Sequence, residues 1–400
     1  MTRRMVRSFV ACLTVAAGFA GIPQVQADPG MPPLPAQDPF YAQPDSLRGM
    51  GMGQVVDSRP IALTGVSAQA PLSAWQVKYV SQDTKGKPWT TMATVIKPSV
   101  PNPQAKLVSF QPWIDALDTR CNPSYQLRAG VPYQASTGMI AENGNLATFL
   151  DHGYTVVVPD YLGPENQFAA GYVEGRATLD GIRAAENFAP AGLNGNATPV
   201  GLFGYSGGAR GTEFAAELAA DYAPELKIVG SAAGGLPTDM GRSAEVMNGG
   251  PFGGINFSAS YGIARAYPEL NIPAYFNDPG LLPALSGMCQ TQILGSYPFV
   301  PMQSKTVNGV WPLGDPQVQA VLDTLKAGHY GTPNAPLYLF MAEHDEIAVT
   351  EGTDALVDEY HRRGVDVTYV KYPGTEHVIA ESVGSPAAIT WVVDHLNAAN

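Results

Sequence analysis

The sequence predicts an α/β fold, with a mostly parallel central sheet, helices on both faces and an inserted, mainly helical cap. Three observations carry this reading. From residue 154 onward, strand-like runs alternate with helix-like stretches, the pattern of successive βαβ units. The run Tyr154-Thr155-Val156-Val157-Val158-Pro159 is continuously apolar or β-branched, as a strand covered on both faces must be. Between residues 236 and 316 the alternation stops, giving way to Gly-Gly pairs, prolines and apolar patches.

Taken in order, residues 74–80 and 90–96 read as strands separated by the turn-like Asp83-Thr84-Lys85-Gly86. Residues 105–110 form a further strand candidate and 146–152 a helix. Strand 154–159 is then followed by helix 173–187, strand 199–205, helix 209–220 and strand 227–232. Beyond the interruption come strand 336–342, helix 353–363, strand 367–372 and a last helix over 386–396. The implied organisation is a core in two parts, 53–235 and 317–400, interrupted by a cap at 236–316 over the sheet's carboxyl edge. Residues 28–52 are rich in Pro, Gly and polar groups without periodicity, and read as an extended N-terminal arm lying over the body, or as partly disordered.

Composition narrows the class. Hydrophobic residues make up 45% and charged residues 14% of the 400 residues, which suits a globular chain with a sizeable core. A formal net charge of −12 disfavours a nucleic-acid partner and a polybasic membrane anchor. At the start, Arg3, Arg4 and Arg7 precede the apolar run 8–20, a break at Pro23, and Val25-Gln26-Ala27. That is the layout of a signal peptide over residues 1–27, with Asp28 as the mature N-terminus. The expected destination is outside the cell, released or loosely wall-associated. Cys12 sits early in the apolar run rather than after it, unlike a lipoprotein cysteine. Of the 3 cysteines, Cys121 and Cys289 remain, as one disulfide or as two buried thiols. No Cys/His spacing resembles a zinc site, so neither metal nor cofactor is expected. No obligate protein partner is evident.

The strongest chemical signal is Gly204-Tyr205-Ser206-Gly207-Gly208, where the strand passes directly into a helix. A serine at such a turn needs small neighbours, because the backbone is strained and strand and helix approach closely. The turn would expose the Ser206 hydroxyl and aim the Gly207 N–H at a reacting oxygen. A Gly-rich structural turn is the competing reading, and the strand–turn–helix context favours the nucleophile. A serine hydroxyl also requires a base. Of the 6 histidines, His377 follows strand 367–372 on the expected loop, whereas His361 and His395 fall within helical patterns. Strand 336–342 runs into Glu343-His344-Asp345-Glu346. Asp345 occupies the position expected for the acid that orients the imidazole, with Glu343 as the competitor and Glu346 expected to be solvated. The order Ser, Asp, His is the one such a sheet imposes.

The chain also carries Asp38-Pro39-Phe40-Tyr41, Ser109-Phe110-Gln111 with Asp115, and Cys121-Asn122-Pro123-Ser124-Tyr125. Further along stand Pro159-Asp160-Tyr161-Leu162-Gly163-Pro164, Leu179-Asp180-Gly181-Ile182-Arg183-Ala184 and the pair Glu376-His377. Together with the elbow and Asp345, these resemble the secretory lipase family of the α/β-hydrolase superfamily, typified by fungal lipase A. The resemblance spans most of the chain after the leader. It implies that Asp115 helps to stabilise an oxyanion beside the Gly207 N–H. A carboxyl can donate only when protonated, so either its pKa is raised or a backbone N–H takes the part. A loop-capping aspartate is the plainer alternative, and Ile114 stands where the family often has an acidic residue. The resemblance also implies a Cys121–Cys289 disulfide. With only a short stretch after the last helix, the fungal lipase's C-terminal flap and its second disulfide are expected to be missing, and access to the site is expected to be more open.

The implied function is a secreted serine carboxylic-ester hydrolase acting on acylglycerols or related lipid esters, with transient contact at a lipid interface. Phe252, Ile255, Phe257 and Tyr261 of the cap are expected to line an acyl cleft, ordinary packing being the alternative for each. A cell-envelope acyltransferase or a short-chain or acetyl esterase would use the same triad. A non-catalytic binding protein that keeps the fold is the reading from another class.

Overall fold

The computed structural model describes residues 31–130 and 138–399. The leader expected at 1–27, with Cys12, lies outside the described residues. The strands are β1 (Val55–Ile61), β2 (Leu72–Gln82), β3 (Pro88–Pro98), β4 (Leu107–Gln111), β5 (Thr155–Pro159), β6 (Pro199–Tyr205), β7 (Lys227–Gly234), β8 (Leu337–Ala342) and β9 (Val367–Tyr372). The first helices are α1 (Pro123–Ala129), α2 (Met139–Asp151), α3 (Tyr172–Asn187) and α4 (Gly207–Tyr222). Between β7 and β8 lie α5 (Met240–Met247), α6 (Gly253–Ala266), α7 (Leu281–Ser286) and α8 (Gln290–Ser296), all within the stretch read as a cap, and α9 (Pro316–Thr324) at its end. Two long helices, α10 (Thr350–Arg362) and α11 (His377–Ala398), complete the chain.

One sheet runs in the order β1-β2-β3-β5-β4-β6-β7-β8-β9. The pairs β1–β2, β2–β3 and β3–β5 are antiparallel, and every pair from β5 to β9 is parallel. Burial follows the pleat. Val156 and Val158 of β5 pack with Phe149 of α2 and with Val392 and Leu396 of α11 on one face. Val157 packs with Leu179 and Ile182 of α3 and Leu218 of α4 on the other. Both faces are therefore covered, and the site-bearing ends of β6, β8 and β9 emerge along one edge beneath the cap.

Helix α1 was not anticipated and α2 starts at Met139 rather than 146, and two further differences bear on the sheet and the last helix. Strand β1 was not anticipated, because its middle reads Asp57-Ser58-Arg59-Pro60 and looks like a loop. It is an edge strand, where charge and proline are tolerated because one side of the backbone needs no partner. The last helix was expected to begin at Pro386 but begins at His377, with Pro386 inside it. The Glu376 side chain accepts from the Val378 and Ile379 N–H groups and so starts the helix a full nine residues earlier. An interior proline costs roughly 3 kcal/mol in an exposed helix. Here Ala388, Ile389, Val392, Val393 and Leu396 beyond it are buried, and that packing holds the helix together.

From residue 31 the arm is ordered rather than loose. Asp38 accepts from Arg59 Nη2 at 2.6 Å and Arg128 Nη1 at 3.1 Å, and Gln76 Nε2 donates to the Tyr41 hydroxyl at 2.7 Å. Above the sheet, the cap is fastened along α6. Ser258 Oγ donates to the Asp115 carbonyl at 3.2 Å, and Arg265 Nη1 donates to the Leu117 carbonyl at 2.7 Å. A Cβ on Gly262 would stand 2.3 Å from the Phe168 carbonyl oxygen, so α6 lies directly on core backbone there. The cap's apolar cluster runs on past residue 316 to Val318, Leu322 and Leu325.

Cys121 and Cys289 form a disulfide across 168 residues, tying the loop after β4 to the start of α8. A bond closing so long a loop contributes about 2–5 kcal/mol. The Cys121→Ser/Cys289→Ser double variant should lose that much stability, read as a lower midpoint in calorimetry. An unchanged midpoint would show that noncovalent contacts alone hold the cap.

Candidate active site

Strand β6 is buried along its whole length and delivers Ser206 at its carboxyl end. Ser206 has φ 52° and ψ −120°, a left-handed conformation that a non-glycine residue adopts only when its surroundings enforce it. The enforcement is steric. A Cβ on Gly208 would lie 1.8 Å from the Gln111 carbonyl oxygen, and one on Gly204 would lie 2.3 Å from the Gly208 carbonyl oxygen. Helix α4 thus sits directly on β4, and the turn has no room for larger residues. The Ser206 N–H donates to the Gly234 carbonyl at 2.8 Å. One turn into α4, fully buried Arg210 donates to Glu174 Oε2 at 3.0 Å and to the Pro237 carbonyl at 2.9 Å.

The imidazole of His377 stands between Ser206 and Asp345. Its Nε2 is 2.9 Å from Ser206 Oγ, and its Nδ1 is 2.9 Å and 2.8 Å from the two Asp345 oxygens. A carboxylate can only accept, so Nδ1 carries the proton and Nε2 is left bare towards the hydroxyl. Asp345 Oδ1 also accepts from Ile347 N at 3.0 Å and Ala348 N at 2.6 Å, which fixes the carboxylate. The competitor Glu343 is turned away, accepting from Gly374 N at 2.7 Å.

His377 is not on a loop, as expected, but is the first residue of α11. Its main chain is held at both ends. The N–H donates to Glu346 Oε2 at 3.1 Å, and the carbonyl accepts from the Tyr205 hydroxyl at 2.5 Å. Glu346, expected to be solvated, therefore has a structural partner. Burial pulls the imidazole pKa down, but Asp345, with Glu346 and Glu381 behind it, outweighs this and leaves it above the usual 6.5.

Asp115 closes the other side. It is buried, has φ 46°, and its Oδ1 lies 2.1 Å from where a Gly207 Cβ would be. Burial pushes its carboxyl up to about 7, assisted by Glu174 and opposed by His377, by a bond from Gln290 and by Arg210. Gln290 Nε2 donates to Oδ2 at 2.8 Å.

A narrow apolar cavity of about 20 Å³ opens on Ser206, lined among others by Asp115, Phe168, Met240, Met247, Ile255 and Ile347. Of the four cap residues expected to line an acyl cleft, Ile255 is the one found in the lining of this cavity. Phe257 and Tyr261 are buried in the cap, where both pack against Phe276. Phe252 packs half-buried on the same cluster. The reason is helical phase. Residues 257 and 261 share one face of α6, whereas 255 and 257 are roughly 200° apart. Among the described residues, no group of three or more His, Cys, Asp or Glu side chains could hold a metal ion.

The model of the family described as "Secretory lipase" matches residues 130–400. The chain belongs to the secretory lipase family. Lipase A of Candida antarctica superposes with a TM-score of 0.86 at 30% identity, covering 92% of this chain and 88% of that one. The chain thus shares the α/β-hydrolase fold with a lipase of known structure. A secreted triacylglycerol lipase of Malassezia globosa is 34% identical, over 91% of this chain and 81% of its own length. A Mycobacterium tuberculosis relative described as a probable inactive lipase is also 34% identical, over 91% of this chain and 82% of its own. Secreted members of the family support an extracellular location; nothing supports association with a cell wall. The family places the chain among lipases and esterases.

Two side chains escaped the sequence reading, Tyr205 and Gln290, and a third, Glu346, was expected only to be solvated. Tyr205 was visible as the variable residue of the elbow, and Gln290 as the neighbour of Cys289. Only their partners reveal what they hold. Asp345→Asn should cut kcat by about 10⁴, since the amide leaves the imidazole in the wrong tautomer. Glu343→Gln should stay within about twofold on the same soluble ester. Equal losses in the two variants would remove Asp345 from the triad.

Proposed function

We propose that this chain is a secreted serine carboxylic-ester hydrolase acting on acylglycerols or related lipid esters through an acyl-enzyme. The observation that carries this reading is the continuous bonded line from Asp345 through both His377 nitrogens to Ser206 Oγ at 2.9 Å. In the proposed cycle His377 Nε2 takes the Ser206 proton as Oγ attacks the ester carbonyl. The Gly207 N–H and Asp115 stabilise the oxyanion. The imidazolium, held by Asp345, returns its proton to the departing alcohol. Water, deprotonated by the same nitrogen, then attacks the acyl-enzyme, and the proton passes from His377 to Ser206 Oγ as the acid is released.

Two features support a lipid substrate. The walls around Ser206 are apolar. Beside His377, the side of α11 carrying Val378, Ile379 and Val383 is 53%, 50% and 46% exposed, a surface suited to transient contact with an ester-bearing interface. The cavity favours a second reading, a short-chain or acetyl esterase. About 20 Å³ holds little more than a water, so a long acyl chain requires the cap to shift. A p-nitrophenyl ester series beside an emulsion assay separates the two. Activity confined to acetate and butyrate, with none on emulsions, would establish the esterase and end the lipase reading.

Ser206→Ala should lower kcat by about 10⁶ while leaving the melting midpoint in place, and should abolish fluorophosphonate labelling. Labelling retained by Ser206→Ala would overturn this nucleophile, and a wild-type chain that takes no label would return it to the non-catalytic class. The base must be neutral at Nε2, so kcat/KM should fall as pH drops through the His377 pKa. With that pKa raised, the midpoint should lie above 6.5, and Asp345→Asn should move it down.

A further inference from the structure

We propose that Gln290 is a positioning residue which, by donating to Oδ2 of Asp115, places the Asp115 proton on Oδ1, the oxygen facing Gly207 and the nucleophile. The inference rests on the reading of Asp115 as an oxyanion donor and says what makes that carboxyl point the right way. A protonated carboxyl donates only from the oxygen that bears the hydrogen, and its two oxygens are equivalent unless the neighbours differ. Here they do. Gln290 Nε2 sits 2.8 Å from Oδ2, so that oxygen must accept and the hydrogen belongs on the other. Oδ1 is the oxygen 2.1 Å from the position of a Gly207 Cβ, next to the second proposed donor.

The arrangement is sequestered and fixed. Asp115 and Gln290 are 4% and 8% exposed, too little for bulk water to replace the amide. The backbone carbonyl of Asp115 is taken by Ser258. The titratable and charged groups facing Asp115 are His377, Glu174, Arg210, Glu142 and Tyr161. Glu174 is paired with Arg210, and burial pushes the Glu142 carboxyl and the Tyr161 hydroxyl well above their ordinary values. Gln290 is thus the neutral amide available to distinguish the two oxygens.

Gln290 belongs to the cap and Asp115 to the core, so the oxyanion corner is assembled across their boundary. Gln290 is the first residue of α8, directly after Cys289, and Cys289 is bonded to Cys121 six residues beyond Asp115. The disulfide therefore sets the amide at its distance from the carboxyl.

The test measures kcat, KM and the full pH profile on p-nitrophenyl butyrate for the wild type, Asp115→Ala, Asp115→Asn and Gln290→Met. Asp115→Ala should lose about 10²–10³ in kcat, the cost of one oxyanion donor. Asp115→Asn, whose amide donates at any pH, should retain more activity and lose the alkaline limb near pH 7. Gln290→Met should lose about tenfold in kcat with KM within about threefold. Its alkaline limb should move up, because the Gln290 bond favours the ionised carboxyl and its removal favours the protonated form. A merely structural role would lower kcat without moving that limb. If Gln290→Met does not fold, Gln290→Asn, one methylene short of Oδ2, carries the same expectation. A full loss in Asp115→Ala beside unchanged kcat and limb in the Gln290 variants would overturn the Gln290 inference alone. Wild-type kcat in Asp115→Ala would overturn the donor reading and this inference together.

Discussion

The contact on which the site depends is backbone against backbone. Helix α4 lies so close to β4 that position 208 can carry no side chain, and the polypeptide turns from β6 into the helix through a serine in a left-handed conformation. That approach raises the hydroxyl above the sheet edge and brings Gly207 against the Asp115 carboxyl. The strain is balanced by the fully buried strand before it and by Arg210, whose guanidinium is tied to Glu174 and two carbonyls one turn later. A loosened elbow would misplace the hydroxyl relative to every other group.

Core and cap contribute differently. Ser206, Asp345 and His377 all stand at carboxyl ends of core strands or on the helix that follows, and their mutual distances are set by the sheet. The apolar walls and the amide that meets Asp115 come largely from the cap. The cap rests on the core through α6, whose Gly262 and Arg265 meet main-chain groups, and through the disulfide. The proposed chemistry is in this sense built into the sheet, while access and part of the charge stabilisation belong to the insertion.

The βαβ alternation was legible because a strand covered on both faces writes itself as a continuous apolar run, as residues 154–159 do. The serine elbow was legible because sterics admit few residue types there. Strand β1 was not, since an edge strand has no need of apolar residues and its Asp57-Ser58-Arg59-Pro60 reads as a loop. The start of α11 was hidden by Pro386, which marks a helix start by habit but sits in the interior once packing compensates. Asp345 and Glu343 differ by two positions in one loop, and only the turn that directs one inward and the other to Gly374 separates them. The cap was hardest. Its aromatic residues look the same whether they face a ligand or one another, and helical phase turned Phe257 and Tyr261 away from the cavity.

His377 carries a final consequence. Its main chain is gripped at the N–H by Glu346 and at the carbonyl by the Tyr205 hydroxyl, so the ring can swivel about its own side-chain bonds while its backbone is held. In the proposed cycle, the transfer of protons between Ser206 and a departing alcohol needs only a tilt of the imidazole. Whatever yields to admit a bulky guest must be the roof, because the floor is clamped.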